Sequence, residues 1–254
     1  MMRCLVKMVT RCGLAVAAVL WGLGGSGAVK AADRPLVSDE NLRREEIRSY
    51  LLEYPEVITE ALEVLRGRRQ AEVNRGIQKA LTENAADLYA APGDPVLGNP
   101  RGNVTVVVFS DYQCGYCKRA FPPLMRMVKD DGEVRVVLKE LPILGSLSTL
   151  AAQYALAANM QGKYRAFYAE MMAHRQPVTR ESLRQKAQSA GLNMARLDRD
   201  VADKSIAETL TTNKNVAAAL GLQGTPAFVI GSQVLPGFLS YDTLREAIKK
   251  ARAT

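Results

Sequence analysis

The chain has 254 residues, 48% of them hydrophobic and 24% charged, with a formal net charge of +8. That length allows one ordinary domain and a smaller appendage. The basic residues form no cluster interleaved with aromatics, which argues against a nucleic-acid partner.

Arg3, Lys7 and Arg11 precede an apolar run from Gly13 to Leu23, and small residues follow. This is the pattern of a secretory signal, and the run is too short to span a bilayer comfortably. Val29-Lys30-Ala31 is an acceptable cleavage site and Ser26-Gly27-Ala28 the alternative; an uncleaved anchor is the competing reading. Cleavage after Ala31 removes Cys4, Cys12 and four basic residues, leaving a net charge of +4 with Cys114 and Cys117 as the remaining thiols. Export to an oxidising compartment suits redox chemistry there. The remaining charge is uneven: residues 38–90 sum to −3 and residues 92–254 to +7.

After an extended leader at 32–37, Ser38 or Asp39 caps a helix through Leu42, Ile47, Tyr50 and Tyr54. Pro55 ends it and suits the first position of the next helix. A long helical stretch then runs to Tyr89, interrupted by Gly67 and Gly76. It is too thin to bury its apolar stripe alone, so it packs on its own domain or on other copies of itself. Ala90 to Pro95 is a breaker and marks the expected boundary between an N-terminal region (32–91) and a main domain (92–254). Val96–Gly98 reads as a short strand and Val104–Phe109 as a buried central one. A helix spans Cys117 to about Asp130, kinked at Pro122-Pro123. Val134–Leu138 is a second buried strand. Residues 146–222 read as helical, with turns near Gly162, Gln176-Pro177 and Gly191. Ala227–Ile230 and Gln233–Leu235 form a hairpin around Gly231-Ser232, and an amphipathic helix closes the chain from Tyr241 to Arg252. The order predicts an α/β chain: a thioredoxin fold with a helical insertion, preceded by an N-terminal helical segment.

Cys114-Gly115-Tyr116-Cys117 lies between a strand and a helix, the setting of a redox-active pair. Cys114 at the helix start gains from free N–H groups and the helix dipole; Cys117 lies one turn in, close enough to close a ring. The expected roles are attack by Cys114 and resolution by Cys117. A zinc site needs about four ligands, and the chain adds only one histidine, His174. Gly115 leaves the N–H groups near Cys114 unobstructed, while Tyr116 adds bulk and a phenol; both tune the pair. A thioredoxin-like fold carries a cis-proline in the loop before its third strand, so Gly224-Thr225-Pro226 is expected to hold a cis peptide at Pro226 with the Thr225 backbone open to an extended client; an ordinary trans turn proline is the alternative. Glu140 can lie behind the cysteines as a proton handler for Cys117, or be an ordinary exposed or paired carboxylate. Lys139 alternates to the opposite face, and Asp111 is expected to cap or bond backbone.

Several stretches together resemble the DsbA-like thiol:disulfide oxidoreductases: Asp94–Pro100, Phe109–Lys118, Lys139–Gly145 and Gly221–Gly231, within a likeness covering about residues 92–254. Ile47–Ile58 is similar to the N-terminal region of the ScsC branch, the copper-sensitivity suppressors. The resemblance implies a periplasmic enzyme with catalytic Cys114, resolving Cys117 and cis-Pro226, acting on cysteine-containing exported clients without a cofactor. It implies isomerase or reductase work, recycling by a membrane thiol-redox partner, and trimers made by the N-terminal helices. Gly115 departs from the proline of many relatives and leaves oxidising strength open. A monomeric disulfide-forming oxidase is the alternative. A Cu(I)-binding protein is another: two thiolates suit Cu(I), and Met171, Met172 and His174 are soft or borderline ligand types, although a methionine face more often packs inward.

Overall fold

The computed structural model describes residues 39–253, so the signal, its cleavage sites and the leader lie outside the described residues. The chain divides into two compact units, Met1–Ala61 and Leu62–Thr254. In the first, α1 (Asp39–Glu53) carries Tyr50 one turn from Tyr54, their rings 5.1 Å apart. Pro55 has no N–H to continue that helix. Its carbonyl accepts instead from the Ile58 N–H at 3.1 Å, at the start of α2 (Glu56–Glu83). Leu42, Ile47, Tyr50 and Ile58 are all exposed.

Helix α2 runs unbroken through Gly67 and Gly76. A glycine costs a helix interior only about 1 kcal/mol relative to alanine, too little to end a helix of 28 residues. The break comes instead at Asn84, before α3 (Ala85–Tyr89). Ala80, Leu81 and Leu88 are buried in one core with Val107, Phe109, Val137 and Val229. The expected boundary at residue 91 therefore falls inside the packing of the larger unit. Proline and glycine at 92–95 turn the chain, but the apolar residues before the turn cover one face of the sheet.

That sheet has the order β1-β3-β2-β4-β5. Strand β2 (Val104–Ser110) pairs in parallel with β3 (Val134–Glu140), in a register that sets Ser110 against Glu140. The short edge strand β1 (Val96–Gly98) is antiparallel to β3. On the other side β4 (Ala227–Ile230) is antiparallel to β2, and β5 (Gln233–Pro236) to β4. Both central strands are buried on both faces, as near-continuous apolar runs require.

Helix α4 (Gly115–Asp131) connects β2 to β3. It starts two residues before the expected Cys117 and continues through both prolines. It ends at Gly132, whose φ of 71° is the left-handed cap that glycine adopts without strain. Between β3 and β4 lie five helices: α5 (Ser146–Met160), α6 (Tyr164–Ala173), α7 (Arg180–Ser189), α8 (Met194–Asp200) and α9 (Lys204–Ala219). Three of their breaks fall at the expected turns. A fourth, at 201–203, is set by Asp203, whose carboxylate accepts from the Ser205 N–H at 2.8 Å and caps α9. It is hidden in the sequence because Val201-Ala202-Asp203 contains neither glycine nor proline to mark a break. The closing α10 (Tyr241–Arg252) buries Leu244, Ala247 and Ile248. The strand order and the insertion are those of a thioredoxin fold of the DsbA kind.

Candidate active site

The turn from β2 into α4 is held by one carboxylate. Asp111 is buried, and its Oδ1 accepts from the Gln113 N–H and the Ser148 hydroxyl, both at 2.7 Å. Its Oδ2 accepts from the N–H groups of Ile143 and Leu144 at 2.9 and 3.0 Å. Gln113 adds bonds to the Leu144 carbonyl and the Ser148 hydroxyl. The role expected for Asp111 is thus the observed one: it ties the cysteine turn to the loop after β3.

Cys114 is the N-cap of α4, and its Sγ accepts from the Cys117 N–H at 3.4 Å. The Cys114 thiol also donates to the Thr225 carbonyl at 3.1 Å. The Thr225–Pro226 peptide is cis, as expected, and it brings residues 111 positions apart in sequence into contact with the cysteine. The Cys114 thiol is lowered from 9.0 to about 5. The largest cause is the hydrogen bond from the Cys117 thiol; the Thr225 side chain and the N–H groups of Cys117 and Tyr116 add to it, against burial. Cys117 moves the opposite way: its bond to Cys114 and then its burial push it far above the ordinary thiol range. The two cysteines are not disulfide-bonded to each other in this structure. One sulfur is poised as a thiolate at a helix N-terminus, and its partner is kept protonated behind it.

Tyr116 is exposed, and the Arg119 guanidinium lies 4.2 Å from its ring centre. A side chain at Gly115 would meet open space, so the difference from proline there is not forced by crowding.

Glu140 is neither exposed nor paired with a cation. It is 1% exposed, and its Oε1 accepts from the hydroxyls of Tyr112 and Tyr164, each at 2.7 Å. Its Oε2 has no partner among the described residues. Burial is the main reason that its carboxyl rises from 4.5 to about 8; the charges of Asp111 and Asp94 add, and the two tyrosines oppose. Tyr168 stacks on Tyr164 at 5.5 Å and feels the charges of both Glu140 and Cys117. Glu140 is thus not bonded to the buried cysteine; Tyr168 is the group that feels both. The tyrosines went unnoticed in the sequence because two of them come from α6, in the insertion.

On the opposite face Lys139 is fully buried, donating from Nζ to the Asp94 carboxylate and the Asp87 carbonyl. The alternation in β3 predicts that face but not the partner. A lysine inside a buried strand demands an acid, and the breaker at 90–95 contains one.

Met171 and Met172 are fully buried in the core, and His174 Nε2 lies 3.4 Å from the Pro177 carbonyl. The two methionines are therefore packing residues, and the soft-ligand cluster with His174 is not assembled. Among the described residues no group of three or more His, Cys, Asp or Glu side chains is arranged to hold a metal. Nor is any described helix long and apolar enough to cross a membrane.

A DSBA-like thioredoxin domain matches residues 105–249. The chain belongs to the DsbA-like thioredoxin family. This is a family of thiol-disulfide oxidoreductases, as the resemblance implied. Residues 44–72 match the N-terminal domain of the copper resistance protein ScsC. Among solved structures, a thioredoxin-like oxidoreductase from Silicibacter pomeroyi DSS-3 is 39% identical with a TM-score of 0.65, over 66% of this chain and 98% of that one. The catalytic domain of Proteus mirabilis ScsC is 29% identical with a TM-score of 0.65, over 70% of this chain and 99% of that one. The Na(+)/H(+) antiporter NhaA 3 of Salinispora tropica is 28% identical over 179 residues, 68% of this chain. The chain spans about a quarter of the length of such antiporter relatives, 27% in that case.

Proposed function

We propose that this DsbA-like protein is a periplasmic thiol-disulfide exchange enzyme that isomerises or reduces disulfides in exported client proteins. The observation that carries the reading is the Cys114 thiol, lowered to about 5 at the N-terminus of α4 with Cys117 behind it. Cys114 attacks a client disulfide and forms a mixed disulfide, and Thr225 beside cis-Pro226 offers backbone to the extended client. Cys117 then resolves the intermediate. Glu140, whose carboxyl is raised to about 8 and so is partly ionised near neutral pH, handles the proton that Cys117 gives up through its ionised fraction, and Gly115 and Tyr116 tune the balance. A membrane thiol-redox partner keeps the pair reduced.

The ScsC-type match and the exposed apolar side chains of α1 and α2 support a homo-oligomer, a trimer, built by the N-terminal helices. Several active sites on one assembly suit isomerisation. One observation favours a second reading, a monomeric disulfide-forming oxidase: a strongly stabilised thiolate favours the reduced enzyme and so makes the oxidised form a better oxidant.

Two measurements separate these readings. The isomerase reading expects reduced protein to restore a disulfide-scrambled reporter, and Cys114→Ser to lose that activity completely. The oxidase reading expects oxidised protein to close disulfides in a reduced reporter while leaving the scrambled one unrepaired. Exchange retained in Cys114→Ser would sink both. The redox equilibrium of the pair against glutathione then places the protein toward the reducing or the oxidising end of its class.

A further inference from the structure

Beside the Cys114 turn lies a groove of about 410 Å³ whose wall includes Gln113, Lys118, Arg119, Arg175 and Gln176. Three cations line it and no carboxylate does. Asp111, whose charge reaches Lys118, already accepts four hydrogen bonds from the surrounding segments.

Lys118 is the most informative of the three. It is only 9% exposed, and its Nζ makes no hydrogen bond or ion pair with any described residue. Burial weakens its ammonium, and the Arg175 charge adds to that; the charges of Asp111 and Cys114 work the other way. Arg119 is held by its ring contact with Tyr116, and Arg175 donates from Nη1 to the Met172 carbonyl at 2.6 Å. Neither arginine's interaction is with an acid. A largely covered lysine whose ammonium faces a groove with two further cations gains from an arriving anion.

We propose that this groove receives a client carboxylate flanking the reacting sulfur, so that the enzyme prefers disulfides with Asp or Glu within a residue or two of the attacked cysteine. The inference rests on the reading of Cys114 as the attacking sulfur. In that step the Cys114 thiolate forms a bond to one client sulfur. The client S–S bond breaks, and its second sulfur leaves as a thiolate with the electron pair. Lys118 and Arg175 take no part in those bond changes; they hold the flanking carboxylate and so fix which sulfur is presented. Lys118 and Cys114 lie within the first turn of one helix, so a carboxylate held there sits beside the exchange rather than away from it.

The test is the rate of a single exchange between the reduced full chain and three synthetic peptide disulfides that differ only in Glu, Gln or Lys beside the cysteine. The expected order is Glu above Gln above Lys, with a Glu-to-Gln ratio of about three to ten at low salt that shrinks as salt is added. Lys118→Gln and Arg175→Gln should each bring the ratio toward one. Taking the ratio within each protein cancels any change in the acidity of the Cys114 thiol. Equal rates in the wild-type protein, or a preference unaltered in both variants, overturns the groove proposal. Failure to react with any of the three peptides would instead overturn the exchange reading, and this inference with it.

Discussion

Cys114 and Cys117 stand three positions apart, yet their acidities move in opposite directions. The cause is local: the helix start and the mutual hydrogen bond favour charge on one sulfur only. A thiol lowered to about 5 from 9.0 stabilises the reduced native state fully above the ordinary thiol range. That contribution fades as pH falls toward and through about 5. Thiolate absorbance in the reduced protein should titrate near pH 5 and vanish in Cys114→Ser. Glu140 has the opposite sign. Its native carboxyl is raised from 4.5 to about 8, so the native state loses stability between those values as pH rises. Glu140→Gln should therefore gain in denaturation midpoint relative to the wild type on going from pH 5 to pH 8, and should slow resolution of the mixed disulfide if Glu140 takes the Cys117 proton. An unchanged resolution rate would leave Glu140 with a structural part only. The cysteine pair and Pro226 were legible as motifs, because chain-local chemistry marks them. The tyrosine layer and the buried state of Glu140 were not, since both depend on Tyr164 of α6 reaching the last residue of β3.

Among the elements, the strands and α10 were readable because buried apolar runs and amphipathic periods are strong local signals. The end of the N-terminal helical stretch was less so. Its apolar residues at 77–88 were visible as a stripe, but a stripe does not say what covers it. Lys139 shows what does: it binds α3 and the following turn to β3 through Asp87 and Asp94. Removing one member of a buried ion pair leaves the other uncompensated, at a cost of about 3–5 kcal/mol. Lys139→Met should lower stability by about that amount in urea denaturation, and Lys139→Met with Asp94→Leu should recover most of the loss. A single variant as stable as the wild type would show that the pair does not anchor the segment.

For the whole molecule, the open question is how many copies act together. Ile47 and Ile58 are 59% and 49% exposed, and a chain presenting such residues along its helices gains by burying them in an assembly. The full chain should sediment as an oligomer, a trimer on the present reading. Ile47→Glu combined with Ile58→Glu should release monomers that keep exchange activity toward small disulfides but lose repair of a scrambled reporter. A wild-type chain that sediments as a monomer would end the trimer reading.

The α/β order, the insertion between the two halves of the fold, and the Cys-Gly-Tyr-Cys and Thr-Pro motifs are legible in the chain alone. Each of these is written in residues a few positions apart, where hydrophobic period, turn residues and helix-start chemistry act. Packing after folding settles that residues 77–89 complete the sheet's core, that Glu140 is a buried carboxyl bonded by two tyrosines, and that Lys118, near Cys114, has no hydrogen-bond or ion-pair partner among the described residues. Those outcomes depend on which segments meet after the chain has folded, and on how much water is left between them.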